Sequence, residues 1–371
     1  MIFLLPTIRA VRRGFPKAAI TLVTGPYSSA HELVQMGSDV DDMRIIDWTQ
    51  ASIWGRIKTC LRLRAARFDA CLVSYPNPVR FFLPALANIP IRIGHCRKPS
   101  YRWSLAQGIQ RFRHWVRFNF LSEEFYRRVL FNQPVWIDVP QSDEHDIGKS
   151  LRMAAALGVS KELLFLRPGV EVPAEANSFV SAFLAKKGLS PQTKFVGFSL
   201  GVSSGMEWKR WETKRVAELL ERLENQYGLP ALLIGSPMEK GLEEEFRRYY
   251  HRSIVSAMGE TNVMEVAALL SRCSVFISND SGPSKLAMAI GVPTAILWGP
   301  SDRIGAGPWE EGRHLTVHNG TPCSPCYAAG LKKVGKGVIN FENCGHRACL
   351  TKLSVEEVLN QIKSWMDQSL V

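Results

Sequence analysis

Runs of β-branched and aromatic residues alternate with stretches of helical periodicity along the whole chain. AAITLVT (18–24), MRIID (43–47) and FDACLVS (68–74) read as strands, with helices over 5–14 and 52–66 among them. The alternation restarts at KFVGFSL (194–200). It continues through a helix over 213–227, the strand PALLIGS (230–236) and helices over 239–249 and 263–271. The strand SVFISND (274–280), a helix over 284–290 and the strand PTAILWG (293–299) complete it. Strands joined through helices form a parallel, doubly wound sheet, because a parallel neighbour is reached only by a crossover. Two such α/β units are expected to meet near residues 189–193. The chain opens directly on a helix, although the first strand of a doubly wound sheet is usually central. Leaving that strand's neighbours unpaired and buried would cost several kcal/mol, so the protein is expected to begin upstream of Met1.

The 371 residues are 46% hydrophobic and 22% charged, which is ordinary globular composition with length for two cores. No apolar run reaches the roughly 18 residues of a membrane-spanning helix. The start, MIFLLPTIRAVRR, is apolar first and basic afterwards, the reverse of a secretion signal, so a cytoplasmic location is expected. The formal net charge is +12, and a basic surface attracts phosphate-bearing partners. The charge is uneven: between Ser52 and Phe118, thirteen Lys and Arg stand against the single acid Asp69.

Two loops carry candidate chemistry. Ser278-Asn279-Asp280-Ser281-Gly282-Pro283 joins the end of a strand to the start of a helix. Strand carboxyl ends are where α/β sheets bind ligands, and free N–H groups at a helix start suit phosphate. Gly282 would let a phosphate approach the backbone, and Asp280 can accept from sugar hydroxyls. The competing reading is a plain helix cap by Asp280 or Ser281. Ser203-Ser204-Gly205-Met206-Glu207-Trp208-Lys209-Arg210-Trp211 follows the strand over 194–200. Its small polar residues could cradle a diphosphate and Lys209 could neutralise it; the alternative is a solvated loop with incidental bases. The G-x-G-x-x-G of a dinucleotide-binding dehydrogenase does not follow an early strand.

With those residues in place, the sequence from Pro6 to about Val358 resembles glycosyltransferase family 9, the ADP-heptose–lipopolysaccharide heptosyltransferases. The resemblance runs through PTIRAVRRGFPKAAITLVT, WKRWETKRVAELLERL, AMGETNVMEVAALLSRCSVFISNDSGPSKLAMAIGVPTAILWGPSD and CSPC…CGHRACL. It implies two Rossmann-like domains facing a cleft, of GT-B type, with the first strand of the N-terminal domain missing from the chain. The expected parts are an acceptor domain over 1–189, a nucleotide-sugar domain over 190–353 and a C-terminal helix over 354–371 that packs back on the first domain. Lys209, with Ser203 and Ser204, would contact the donor diphosphate, Asp280 the sugar hydroxyls, and Ser281 and Gly282 the phosphate through their backbone. Thr261 falls where the family lines the adenine pocket, and Gly235 and Ser236 would border the nucleoside. The family usually has His where this chain has Lys285, which can neutralise a leaving diphosphate but cannot shuttle protons near neutral pH. The family's general base, an Asp that would deprotonate the acceptor hydroxyl, would fall immediately before Met1.

The implied activity is inverting transfer of a sugar, heptose from ADP-heptose, to a lipopolysaccharide core acceptor, with no metal needed for transfer. A catalytically impaired sugar-nucleotide-binding protein, or a transferase using another donor, are the alternatives. The basic, aromatic stretch over 100–120 suits an acidic lipid-linked acceptor or the inner face of the cytoplasmic membrane, with Arg97, Lys98, Arg102, Arg111 and Arg113 as contacts. Nucleic acid competes on composition, but no nucleic-acid module accompanies it. Cys323-x-x-Cys326 with Cys344 and Cys349 has the character of a structural zinc site. Free thiols or a disulfide are the alternatives.

Overall fold

The computed structural model describes residues 1–26, 30–35, 37, 39–46, 53–74, 78–97, 130–137, 144–164, 167–310, 312–326, 333–334, 337–338 and 344–369. The chain divides into two compact units, residues 1–166 and 167–371, with Ile2 and residues 31–37 grouping with the second. That division precedes the expected boundary at 189–190, because a helix over 174–186 packs on the second unit's own helices.

The first half of the chain forms α1 (Leu5–Gly14), β1 (Thr21–Thr24), α2 (Ala30–Gln35), β2 (Asp42–Ile45) and α3 (Ile53–Ala65). It continues through β3 (Ala70–Val73), α4 (Pro78–Leu86), β4 (Ile91–Arg97), β5 (Gln133–Ile137) and α5 (Asp146–Leu157). All its strand pairs are parallel, yet they form two sheets, β1–β2 and β3–β4–β5. Pro134 is tolerated in β5 because that strand lies at the sheet edge. Ile93, Val135 and Met153 form one small core here, and Leu63, Leu83, Ala87 and Ile89 another, between α3 and α4.

The second unit holds α6 (Ala174–Lys186), β6 (Phe195–Ser199), α7 (Thr213–Tyr227), β7 (Ala231–Ile234), α8 (Lys240–Arg247) and β8 (Val255–Ser256). After these come α9 (Val263–Leu270), β9 (Cys273–Asn279), α10 (Gly282–Ala289), β10 (Thr294–Leu297), β11 (His314–Val317), α11 (Ala348–Thr351) and α12 (Val355–Ser369). Six parallel strands lie in the order β8-β7-β6-β9-β10-β11, so chain order reverses between β6 and β9. Every residue of β6, β7 and β10 is buried, as expected of sheet strands covered on both faces. The α7 residues Val216, Leu219, Leu220 and Leu223 repeat at helical spacing and join the main core. Val358, Leu359, Ile362, Trp365 and Met366 of α12 lie in the same core, and α12 packs on α7 and β11 within its own unit. The Trp365 indole donates to the Gly312 carbonyl at 2.9 Å, and that of Trp211 to the Leu353 carbonyl at 3.0 Å. Among the described residues no helix is long and apolar enough to cross a membrane.

One buried group makes the fold sensitive to acid. His314 in β11 is 6% exposed, and neither ring nitrogen has a hydrogen-bond partner. Burial first, and then the Arg313 charge, lower its pKa from 6.5 to about 4. The unfolded chain takes up this proton below pH 6.5 while the native state refuses it down to about pH 4. Stability is therefore lost as pH falls through that window, by about 3 kcal/mol for this group. Urea unfolding between pH 7 and pH 4 should show this loss, and His314→Phe should flatten it.

Candidate functional site

The site is built where β6 and β9 end side by side. Strand order reverses at this pair, and in open α/β sheets such a point leaves a crevice beyond the strand carboxyl ends. Asn279, the last residue of β9, is fully buried and ties the two loops together. Its side-chain amide donates to the Leu200 carbonyl at 3.2 Å, and its Oδ1 accepts from the Trp211 backbone N–H at 2.9 Å. The loop after β6 turns at Gly205, whose φ of 77° falls where glycine is favoured. It then closes into a short 3-10 turn, Glu207–Lys209. Trp208 is buried, which fixes the turn and aims the next residue inward.

Lys209 and Asp280, seventy-one positions apart, meet there. Lys209 Nζ donates to Asp280 Oδ2 at 2.8 Å. Lys285, in the first half of α10, places its Nζ 3.1 Å from Asp280 Oδ1. The side chains are 8% exposed for Asp280, 11% for Lys209 and 12% for Lys285. Each ammonium also lies over an indole ring: Lys209 over Trp208 at 5.5 Å, and Lys285 over Trp298, just past β10, at 4.8 Å. Burial on its own would raise the Asp280 carboxyl. The charges of Lys285 and then Lys209, with their hydrogen bonds, outweigh it and hold that carboxyl below its ordinary value. The group carries two positive charges and one negative in a poorly solvated place, an arrangement suited to an incoming anion. Neither competing reading describes these side chains: Lys209 and Lys285 are not solvated, and Asp280 is committed to an ion pair.

The other expected donor residues lie on the segments that follow β6, β7, β8 and β9. Ser281 holds the N-cap position of α10, but its hydroxyl pairs with that of Ser278 at 2.9 Å. A Cβ added to Gly282 would meet nothing within 4 Å, so the start of α10 faces open space. Ser203 and Ser204 are exposed on the loop after β6. Gly235 and Ser236 follow β7, and the Thr261 hydroxyl reaches the Ala257 carbonyl at 3.4 Å, near the start of α9. Arg97 ends β4; Lys98, Arg102, Arg111 and Arg113 lie outside the described residues.

Glu239 is a residue that reading the loops passed over. Its carboxylate folds back across the ends of β6 and β7 and accepts from the Ser236 N–H at 2.7 Å. A Cβ on Gly201 would fall 1.6 Å from its Oε1, and one on Gly235 would fall 2.7 Å from both its Oε2 and Met258 Cε. Both glycines are thus required to seat this carboxylate. The Ser236-x-x-Glu239 spacing of a capping box was the signal available in the sequence.

The four C-terminal cysteines also come together. Cys323, Cys326, Cys344 and Cys349 line one small cavity with His346, Arg347, Trp208 and Pro300. All four are free thiols, against the disulfide alternative. Among the described residues no group of three or more His, Cys, Asp or Glu is placed to hold a metal ion. Burial first, and then the other three cysteines, push the Cys349 thiol up to about 11.

Asp280→Asn should isolate the triad's electrostatics. It leaves two buried ammonium groups without a counter-charge, a loss of about 3–5 kcal/mol measurable by urea unfolding at pH 7. A depressed carboxyl stabilises the fold above its unfolded pKa, roughly 4, and loses that contribution as pH falls through its folded value. The wild type should accordingly weaken in that acid range, and the Asn variant should lack this component.

The family model for Glycosyltransferase family 9 (heptosyltransferase) matches residues 122–333, more than half of the chain. Lipooligosaccharide heptosyltransferase 2 of Haemophilus influenzae is 27% identical over 173 residues, 43% of this chain and 49% of that protein. The chain spans about half the length of the curated relatives it first matches. Among solved structures, the family 9 glycosyl transferase of Veillonella parvula superposes with a TM-score of 0.74 at 19% identity, covering 99% of this chain and 94% of the other. The ADP-heptose lps heptosyltransferase II of E. coli does so with a TM-score of 0.69 at 20% identity, covering 100% and 96%. The fold is therefore that of GT-B glycosyltransferases, with two Rossmann-like domains. The chain belongs to glycosyltransferase family 9.

Proposed function

We propose that the protein transfers heptose from ADP-heptose to a lipopolysaccharide core saccharide with inversion at the anomeric carbon, working on the cytoplasmic face of a membrane. The observation that carries this reading is the pair of lysines, one from the loop after β6 and one from α10, converging on one buried carboxylate at the sheet's switch point. A nucleoside diphosphate leaving group brings negative charge to such a place, and preorganised cations there stabilise the charge that develops as the glycosidic bond breaks. The start of α10 adds its free N–H groups and the positive end of its dipole.

Asp280 has a double part in this reading. It holds Lys209 and Lys285 in place before the donor arrives, since each carboxylate oxygen is already paired with an ammonium. Each oxygen has a further lone pair, so the carboxylate can also accept from a sugar hydroxyl. Glu239, seated on Gly201 and Gly235 beyond the adjoining strand ends, would accept from the ribose hydroxyls. In the transfer step the acceptor oxygen bonds to the anomeric carbon as the bond to the diphosphate breaks, and the acceptor's proton passes to a general base. Lys285 serves this step as a fixed charge.

The test is incubation with ADP-heptose and a heptose-deficient core lipid, followed by mass spectrometry of the lipid product and assay of released ADP. Transfer supports the reading; binding of ADP-heptose with neither product supports a sugar-nucleotide-binding protein instead. Lys209→Met and Lys285→Met should each weaken ADP binding in calorimetry by about 10- to 100-fold, the value of one charge-assisted hydrogen bond. Unchanged affinity in both variants would remove the diphosphate from this site.

A further inference from the structure

The described part of the first unit carries a face that the donor site does not use. Helix α3 (Ile53–Ala65) contains no acidic residue, and none of its Arg56, Lys58, Arg62 or Arg64 has an ion-pair partner among the described residues. Its inner side is ordinary: Leu63 is buried against α4, with Cys60 packed on the same core. Its outer side is not. Trp54 is 75% exposed, Leu61 59% and Ile57 44%. At 3.6 residues per turn these three fall within an arc of roughly 60°, on the side away from Leu63. Arg64 borders the arc on one side, and Lys58 and then Arg62 border it on the other. The neighbouring helix α4 exposes Phe82 and Leu86, one turn apart.

Single exposed apolar residues are common and need no explanation. A stripe of three, one of them Trp, edged on both sides by unpaired bases and by no acid, is a different matter. Water solvates such a stripe poorly, and another protein would have to supply both an apolar strip and flanking acids. An anionic bilayer supplies both at once: acyl chains for Trp54, Ile57 and Leu61, and phosphates at the level the lysine and arginine heads reach. We infer that the outer face of α3 docks the protein on an anionic lipid bilayer, the helix lying in the plane of the headgroups. The inference rests on the proposed lipid-linked acceptor, which a docked enzyme would meet at the membrane surface.

Sedimentation with vesicles of phosphatidylethanolamine and phosphatidylglycerol tests it. The wild type should bind these and leave neutral phosphatidylcholine vesicles largely unbound. Replacing Trp54, Ile57 and Leu61 together by Ser should weaken binding tenfold or more, as about the burial of a single large side chain alone would give. Replacing Lys58, Arg62 and Arg64 together by Gln should cost about 5-fold per base. All six side chains are solvent-facing, and circular dichroism melts check that the variants fold. Trp54→Phe, the mildest change, should reduce the quenching of tryptophan fluorescence by lipids brominated on their acyl chains. Vesicle binding of the Ser variant equal to wild type, or quenching unchanged in Trp54→Phe, overturns the inference. A face made for nucleic acid would give that first result, with binding lost only on charge neutralisation. ADP release with a delipidated core saccharide, measured on the same proteins, separates the two readings. Release without vesicle binding sinks the docking face alone, and vesicle binding without release sinks the transferase alone.

Discussion

The second domain is organised around a carboxylate shared by two cations. Burial opposes the charge on Asp280, and Lys285 and Lys209 outweigh it; removing any one partner would leave a poorly solvated charge uncompensated. Each of the three comes from a different segment, so satisfying the charge fixes three local structures at once. The loop after β6 must turn at Gly205 to bring Lys209 inward, β9 must end where Asn279 can hold both loops, and α10 must begin at once so that Lys285 points back. The sheet order makes this possible, because only at its reversal point do two strand ends release their chains in opposite directions and leave room above.

The same charge balance explains a departure from the family's usual residue. A histidine in place of Lys285 would carry charge only part of the time near neutral pH. In this chain a lysine stands there instead, over the Trp298 ring.

The central strands of the second domain were plain in the sequence because burial on both faces leaves no room for ambiguity. FVGFS, ALLI and TAIL are nearly unbroken apolar runs. The edges were not legible. β8 is two residues long, β11 opens on a histidine and β5 carries Pro134, so each lacks the signal that burial writes into a central strand. The division between the units was misplaced for a related reason: the periodicity of α6 shows that it has an apolar face but not which unit receives it. At the site, both loops could be read, since strand–turn–helix junctions with Gly, Ser and Asp are visible locally. Lys285 was reached through the family resemblance and not through its local pattern, since its neighbours Asp280 and Trp298 come to it only in the fold. Glu239 looks like a capping residue until two glycines prove to be cleared for it.

The packing of α12 reaches back into the site. Its apolar face belongs to the same core as β6 and α7, and the backbone just before it receives the indole of Trp211, two residues beyond Lys209. During synthesis the earlier strands emerge first and can begin to pair, as domains generally fold in the order they are made. Their core stays open on one side until Val355–Ser369 arrives. The loop that carries Lys209 is therefore steadied, through Trp211, by a helix made long after it.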